Sequence, residues 1–296
     1  MDKAQRENWK FELLGELLLA MGSNPQLREN LIFKGALILN HHLGSHRKSL
    51  DIDSNLDSEF TTQHPNQETQ RQFLEEHVQF AISQHFERQD PVRYELKSIK
   101  IDSSPKDLHP RGWDGFSITI ALIDHANPGV RGLPSLKIDV AAPESLSEHS
   151  VSDLAVQGVK IRAYTLERIA GEKARAFLST LPTYRSKVKK PGESVRVKDL
   201  YDLAKIIRLK TLDETQFWTI AGNEFFLACQ SRGIDCIGLA SFMEDWDATK
   251  NYYEKDPTIP TDIQFNEVDA AIKSISSFWE EINIIPFYFE LPTRKA

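Results

Sequence analysis

The hydrophobic period of this chain turns from that of strands to that of helices near Thr165, and nothing else in the sequence restricts the fold as strongly. Between residues 92 and 165 apolar and polar residues alternate, which is the two-residue period of strands. This predicts strands over 92–101, 116–123, 136–141 and 159–164, separated by segments rich in Pro, Gly, Ser and Asp. Beyond Thr165 the spacing becomes three and four, predicting helices over 166–180, 197–209, 214–231 and 264–283. The chain before residue 92 mixes both periods. Trp9, Leu13, Leu17 and Met21 predict an opening helix over 5–21, followed by a strand over 31–34 and a helix from Gly35 to His42 that Gly44 ends. A strand from Ser49 to Leu56 and a long helix over 67–88 complete this part. A mixed α/β half followed by a helical half predicts two domains, residues 1–163 and 164–296.

Composition narrows the function classes. A formal charge of -7 argues against a general nucleic-acid coat, which attracts phosphate through a net basic surface. The distribution is uneven, because Lys173, Arg175, Arg185, Lys187, Lys189, Lys190, Arg196 and Lys198 face a single acid in their span, Glu193. Such a run is in many proteins only a solvated face. No stretch approaches the roughly 18 apolar residues of a membrane span, and the opening residues lack the apolar core of a secretory signal, so a cytoplasmic protein is expected. The two cysteines, Cys229 and Cys236, form neither a disulfide framework nor a zinc spacing.

The chemistry is expected on two acidic strands. In Ser49-Leu50-Asp51-Ile52-Asp53 the strand period puts Leu50 and Ile52 on one face and both aspartates on the other. In Leu136-Lys137-Ile138-Asp139-Val140 the same alternation turns Asp139 away from the apolar residues. If the strands are neighbours, three carboxylates meet. Hard oxygen ligands of this kind suit magnesium, and three suffice to hold two ions for an in-line displacement at phosphorus. An isolated Asp-x-Asp is more often the wet face of a sheet. Here Gly44-Ser45 adds a turn whose N–H groups and hydroxyl can hold a terminal phosphate, and Arg47 and Ser49 add a forked cation and a second hydroxyl.

Two charged residues sit where apolar ones belong. Lys173 falls in the stripe formed by Leu166, Ile169, Ala170 and Phe177, and Asp199 falls within the apolar arc of Leu200, Leu203, Ile206 and Ile207, with Asp202 at its edge. One account pairs Lys173 with Asp199 as a buried interdomain salt bridge. The other lets Lys173 bind the triphosphate of a nucleotide while Arg196, Lys198, Asp199 and Asp202 hold the nucleotide or position Lys173. The two are compatible.

Taken together, these blocks resemble the nucleotidyltransferase-like toxins of the AbiEii/AbiGii type, related to the MenAT toxins. The resemblance runs from about residue 30 to 210. It rests on Phe33-Lys34-Gly35, Gly44-Ser45-x-Arg47-x-Ser49-x-Asp51-x-Asp53, Asp139, Glu172-Lys173-x-x-Ala176 and Arg196-x-Lys198-Asp199-x-x-Asp202-Leu203, with a weaker echo at Trp246 and Tyr252-Tyr253. Ala36 departs from the pattern, which often has a second glycine there. The resemblance implies a polymerase-beta-like nucleotidyltransferase core of α+β type with a helical carboxy-terminal domain. It implies a metal-dependent enzyme with Asp51, Asp53, Asp139, Lys173 and Asp199 as catalytic residues, the three aspartates holding two magnesium ions or manganese in their place. Gly44, Ser45, Arg47, Ser49, Lys173, Arg196, Lys198 and Asp202 would bind the NTP substrate. The implied acceptor is RNA, in several relatives the 3' end of tRNA, and the implied partner is an antitoxin encoded nearby. Arg185, Lys187, Lys189 and Lys190 would then track the RNA backbone despite the acidic total. Growth arrest in toxin–antitoxin or abortive-infection defence would follow from blocked translation.

Other signals are weaker. His41, His42 and His46 lack a zinc-binding spacing, and Trp113, Trp218, Trp246 and Trp279 are more often core than base-stacking platforms. No Walker A run or Gly-x-Ser-x-Gly elbow is present. Two alternatives keep the same residues: transfer to a small molecule or a protein side chain, and a non-catalytic nucleotide-binding module.

Overall fold

The computed structural model of the protein describes residues 2–44, 49–107, 109, 111–128, 133–188 and 194–291. These residues form two compact units, the first running to Glu144 and adding Val151–Tyr164, the second formed by Ser145–Ser150 and the chain from Thr165.

The first unit opens with helix α1 (Lys3–Ser23), which Asp2 and Gln5 close with a reciprocal capping box. Helix α2 (Pro25–Asn30) leads into strand β1 (Leu31–Lys34), and helix α3 (Gly35–Leu43) follows without a loop. Strand β2 (Ile52–Leu56), helices α4 (Ser58–Gln63) and α5 (Gln67–Glu87), and strands β3 (Tyr94–Ser104), β4 (Gly115–Asp124), β5 (Leu136–Ala141), β6 (Val151–Val156) and β7 (Val159–Tyr164) complete it. All seven strands join one mixed sheet in the order β3-β4-β5-β2-β1-β7-β6. β5 lies parallel to β2 and β7 parallel to β1, while the other neighbours are antiparallel. The fold is therefore α+β.

Alternation divides the sheet into two faces. Ile118, Ile120, Leu136, Ile138, Val140, Ile52, Phe33, Ile161 and Ala163 form the buried one. α1 packs against this face: Gly22 comes so near the Ile161 side chain that no Cβ could fit. On the opposite face the paired residues Lys34, Asp53, Asp139, Ser117 and Asp102 lie in one row across five strands. Over β3, β4 and β5 that face is polar and open, with Lys100 and Asp102 exposed and Ser117 and Thr119 half-buried.

The second unit is helical, built from α6 (Leu166–Leu178), α7 (Pro182–Lys187), α8 (Val197–Leu209), α9 (Thr215–Arg232), α10 (Leu239–Phe242), α11 (Trp246–Lys255) and α12 (Phe265–Glu281). Thr165 caps α6, its hydroxyl accepting from the Arg168 N–H. Trp218 and Trp279 lie in the core, where the Trp279 indole donates to the Trp218 carbonyl at 2.9 Å and its ring stacks on Phe225. Buried Arg168 and Glu224 pair at 3.0 Å, and Ser147 and Ser150 donate to the two Glu224 oxygens. Such pairing offsets the desolvation of both charges and ties the short 145–150 segment to α6 and α9.

Three expectations need correction. The predicted strand from Ser49 begins only at Ile52, so alternation does not reach Leu50, which is 47% exposed rather than packed beside Ile52. The strand placed at 92–101 runs instead from Tyr94 to Ser104, with Val92 exposed before it. Strand β6 was not anticipated: Ser152 and Asp153 weaken its apolar pattern, and only pairing with β7 makes it a strand.

Candidate functional site

Strand register assembles the acidic group. Asp53, the second residue of β2, is directly paired with Asp139 of β5, which places both side chains on the polar face. Asp51 lies in a bend just ahead of β2. Ser49, itself buried, pins that bend by donating its hydroxyl to the Asp51 backbone carbonyl at 3.0 Å and lying 3.3 Å from Asp51 Oδ1. One oxygen from each of Asp51, Asp53 and Asp139 then falls within 4.8 Å of the others, and all three residues are half-buried. The three aspartates thus meet, although Asp51 arrives from a turn and not from the strand.

The surroundings support this group. Gly35, the first residue of α3, has a φ of +78°, and a Cβ there would lie 2.8 Å from Asp53 Cγ and closer still to its Oδ2. Only glycine combines that backbone conformation with so near an approach. Lys34, directly paired with Asp53, sends its ammonium 3.7 Å from buried Glu144 and 5.6 Å from the centre of the Tyr164 ring. Asn55 donates to the Tyr164 hydroxyl at 2.5 Å, and His42 meets the Tyr164 carbonyl at 2.9 Å. Gly44 caps α3 in the left-handed conformation, at φ +58°. Ser45 and Arg47 lie outside the described residues.

Lys137 was not singled out in the sequence. It stands two residues before Asp139 on the same face of β5, and its ammonium lies 2.6 Å from Asp139 Oδ2. Hydrogen bonding to Asp139 raises the Lys137 pKa, against some desolvation, and the charges of Asp139, Asp51 and Asp53 raise it further. The aspartates thus act on this lysine as one anionic centre. The signal was available in the strand period, which puts residues 137 and 139 on one side.

Lys173 and the aspartates of α8 meet as the pairing account expected, but within the helical unit and not as an interdomain pair. Lys173 is 8% exposed, and its ammonium lies 2.7 Å from Asp199 Oδ1 and 2.7 Å from Asp202 Oδ2. The Arg196 guanidinium binds the second oxygen of Asp199. Burial alone would raise the Asp199 pKa, but the Lys173 and Arg196 charges outweigh it and hold it at about 2. Two cations and two buried carboxylates thus compensate one another within a small volume. Lys198, on the same helix, is exposed. Of the basic residues beyond α6, Lys187 is held by Asp235 at 2.5 Å, and Arg185 keeps its Nε and Nη2 buried without a hydrogen-bond partner. Lys189 and Lys190 lie outside the described residues.

A known family matches most of the chain. The family model described as nucleotidyl transferase AbiEii toxin, type IV TA system, matches residues 16–271. The chain belongs to that family. A search of curated proteins finds no match. The AbiEii match takes in all seven strands and most of the helical unit. Membership makes this chain a nucleotidyltransferase toxin of a toxin–antitoxin system, with an antitoxin as its counterpart. No helix among the described residues is long and apolar enough to cross a membrane.

The acidic trio fits a divalent cation. Its donors are all carboxylate oxygens, the ligands that magnesium and manganese prefer. One oxygen of each lies within 4.8 Å of the others, and their partial exposure leaves room for water and substrate oxygens.

Proposed function

We propose that this AbiEii-family chain transfers nucleotides from an NTP to RNA, with the 3' end of tRNA as acceptor, and that Asp51, Asp53 and Asp139 hold two magnesium ions, or manganese, for the reaction. The observation that carries this reading is the register of β2 against β5, which joins Asp53 and Asp139 beside the pinned Asp51. Bound there, divalent ions neutralise phosphate charge and lower the pKa of an attacking hydroxyl.

The chain's own residues supply positioning and charge, which is most of what phosphoryl transfer requires. The acceptor hydroxyl forms a bond to the α-phosphorus as the bond to the β-phosphate breaks, and pyrophosphate leaves. Asp139, half-buried and carried by a different strand from Asp53, accepts the hydroxyl proton. Gly44, Ser45, Arg47 and Ser49 take the terminal phosphates. Lys173, paired with Asp199 and Asp202, binds the triphosphate, and exposed Arg196 and Lys198 hold the nucleotide. Arg185, Lys187, Lys189 and Lys190 follow the RNA backbone, Lys187 exchanging Asp235 for phosphate. The setting is the cytoplasm, with the antitoxin encoded nearby.

The test is incubation with labelled NTPs, magnesium and total RNA, compared with Asp53→Ala. Label in tRNA that requires Asp53 is the expected result. Label on protein or on a small molecule would reassign the acceptor, and the absence of metal-dependent transfer would leave a binding module.

A further inference from the structure

Beside the acidic trio lies a cation that the proposed reaction does not use. Lys137 Nζ sits 2.6 Å from Asp139 Oδ2. Its side chain is 51% exposed, so neither packing nor burial holds it against Asp139; attraction does. A bound magnesium or manganese ion needs carboxylate oxygens of the same trio at about 2.1 Å, and an ammonium hydrogen-bonded to one of them would stand within a few ångströms of a dication. Like charges at that distance repel strongly even at a protein surface. Lys137 and a divalent ion are therefore competing partners for Asp139.

The fold also gives this lysine somewhere to go. Residue 137 is directly paired with Thr119 of β4, and Thr119 with Lys100 of β3, so a polar row extends from it across the open half of the sheet. Thr119 is half-buried and Lys100 exposed, which leaves a flexible four-carbon stem free to turn along that row. Lys100 repeats the arrangement, lying 2.6 Å from Asp102 two residues later. Asp102, however, belongs to no group of three metal-binding side chains among the described residues.

We infer that Lys137 is a tethered counter-ion of the acidic trio, a positioning residue that competes with the divalent cation for Asp139 and so weakens cation binding until it swings away along the Thr119 row. This rests on the metal reading proposed above. Removing the ammonium should free Asp139 and tighten cation binding; a lysine that merely decorates the strand would have no such effect.

The experiment is a calorimetric titration of the full chain with manganese alone, free of nucleotide and RNA. Lys137→Met and Lys137→Gln should each bind manganese about five- to tenfold more tightly than the unaltered protein, a change set by one unit charge at close range. Lys100→Met, which removes the same charge two strands away, should stay within about twofold, and Asp139→Asn should bind weakly whatever stands at 137. Unchanged or weaker binding in both Lys137 variants overturns the inference and leaves the metal site intact. Equal tightening by Lys100→Met overturns it too, by tracing the effect to net charge. If the unaltered chain binds no manganese, the metal reading itself fails, and this inference with it.

Discussion

Gly35 faces the Asp53 carboxylate so closely that a methyl group on it would lie 2.8 Å from Asp53 Cγ, with its backbone at a φ of +78°. The turn from β1 into α3 is thereby coupled to the orientation of a proposed metal ligand. Replacing Gly35 by Ala combines an unfavourable φ with a collision against a side chain that can escape only by rotating. We expect a loss of roughly 1–3 kcal/mol in stability and a larger loss of cation binding. Urea unfolding and manganese titration of Gly35→Ala measure the two effects separately, and an alanine variant with unaltered cation affinity would contradict the coupling.

Three carboxylates with oxygens within 4.8 Å repel one another unless cations lie between them. Asp53→Asn should therefore fold at least as stably as the unaltered chain when no divalent ion is supplied, while Asp139→Asn also gives up its Lys137 pair and should gain less. Adding magnesium or manganese should raise the melting temperature of the unaltered protein and leave both variants nearly unmoved, because a ligand stabilises only the state that binds it. Differential scanning calorimetry with and without the ion decides this.

The Lys173 cluster makes acid stability predictable in sign. Asp199 has its pKa held at about 2 against an ordinary 3.8, burial opposing and the Lys173 and Arg196 charges prevailing. A depressed carboxylate contributes stability that is fully present above its unfolded pKa and is lost as pH falls through its folded one. The helical unit should thus lose stability between about pH 4 and pH 2, and Asp199→Asn should flatten that limb. Lys173→Met leaves Asp199 and Asp202 buried without their shared ammonium, and should cost roughly 3–5 kcal/mol. Circular dichroism of acid titrations for the three proteins gives the comparison.

Neither cysteine should react in the native protein. Cys229 and Cys236 are both buried; burial pushes the Cys236 thiol up to about 12 and that of Cys229 well above its ordinary value. Thiolate, the nucleophilic form, is then scarce at pH 8. A thiol reagent such as DTNB should label both only in denaturant. Fast labelling of the folded chain would mean that α9 around Cys229, or the Cys236–Phe287 bridge, opens readily.

The parts readable in advance share one property: each is a statement about which side of an element is apolar. The alternation of Leu136, Ile138 and Val140 against Lys137 and Asp139 predicted the two faces of β5, and the stripe of α6 marked Lys173 as a charge that must have a partner. The same reasoning failed at Asp51, because alternation describes a residue only while the strand lasts, and here the strand begins at Ile52. Ser49 does at that point what the strand was expected to do, through hydrogen bonds that no periodicity encodes.

Sequence alone therefore determined the split between sheet and helices, the burial of each face and the types of residue able to bind cations and phosphates, since these follow from local spacing and side-chain chemistry. Only the tertiary structure decided that β5 lies beside β2, that Gly35 stands against Asp53, that Lys137 takes Asp139 and that Lys173 takes two aspartates rather than one. Those are choices of partner between segments distant along the chain. They depend on the free energy of competing packings of the whole molecule, which a local pattern restricts but does not select.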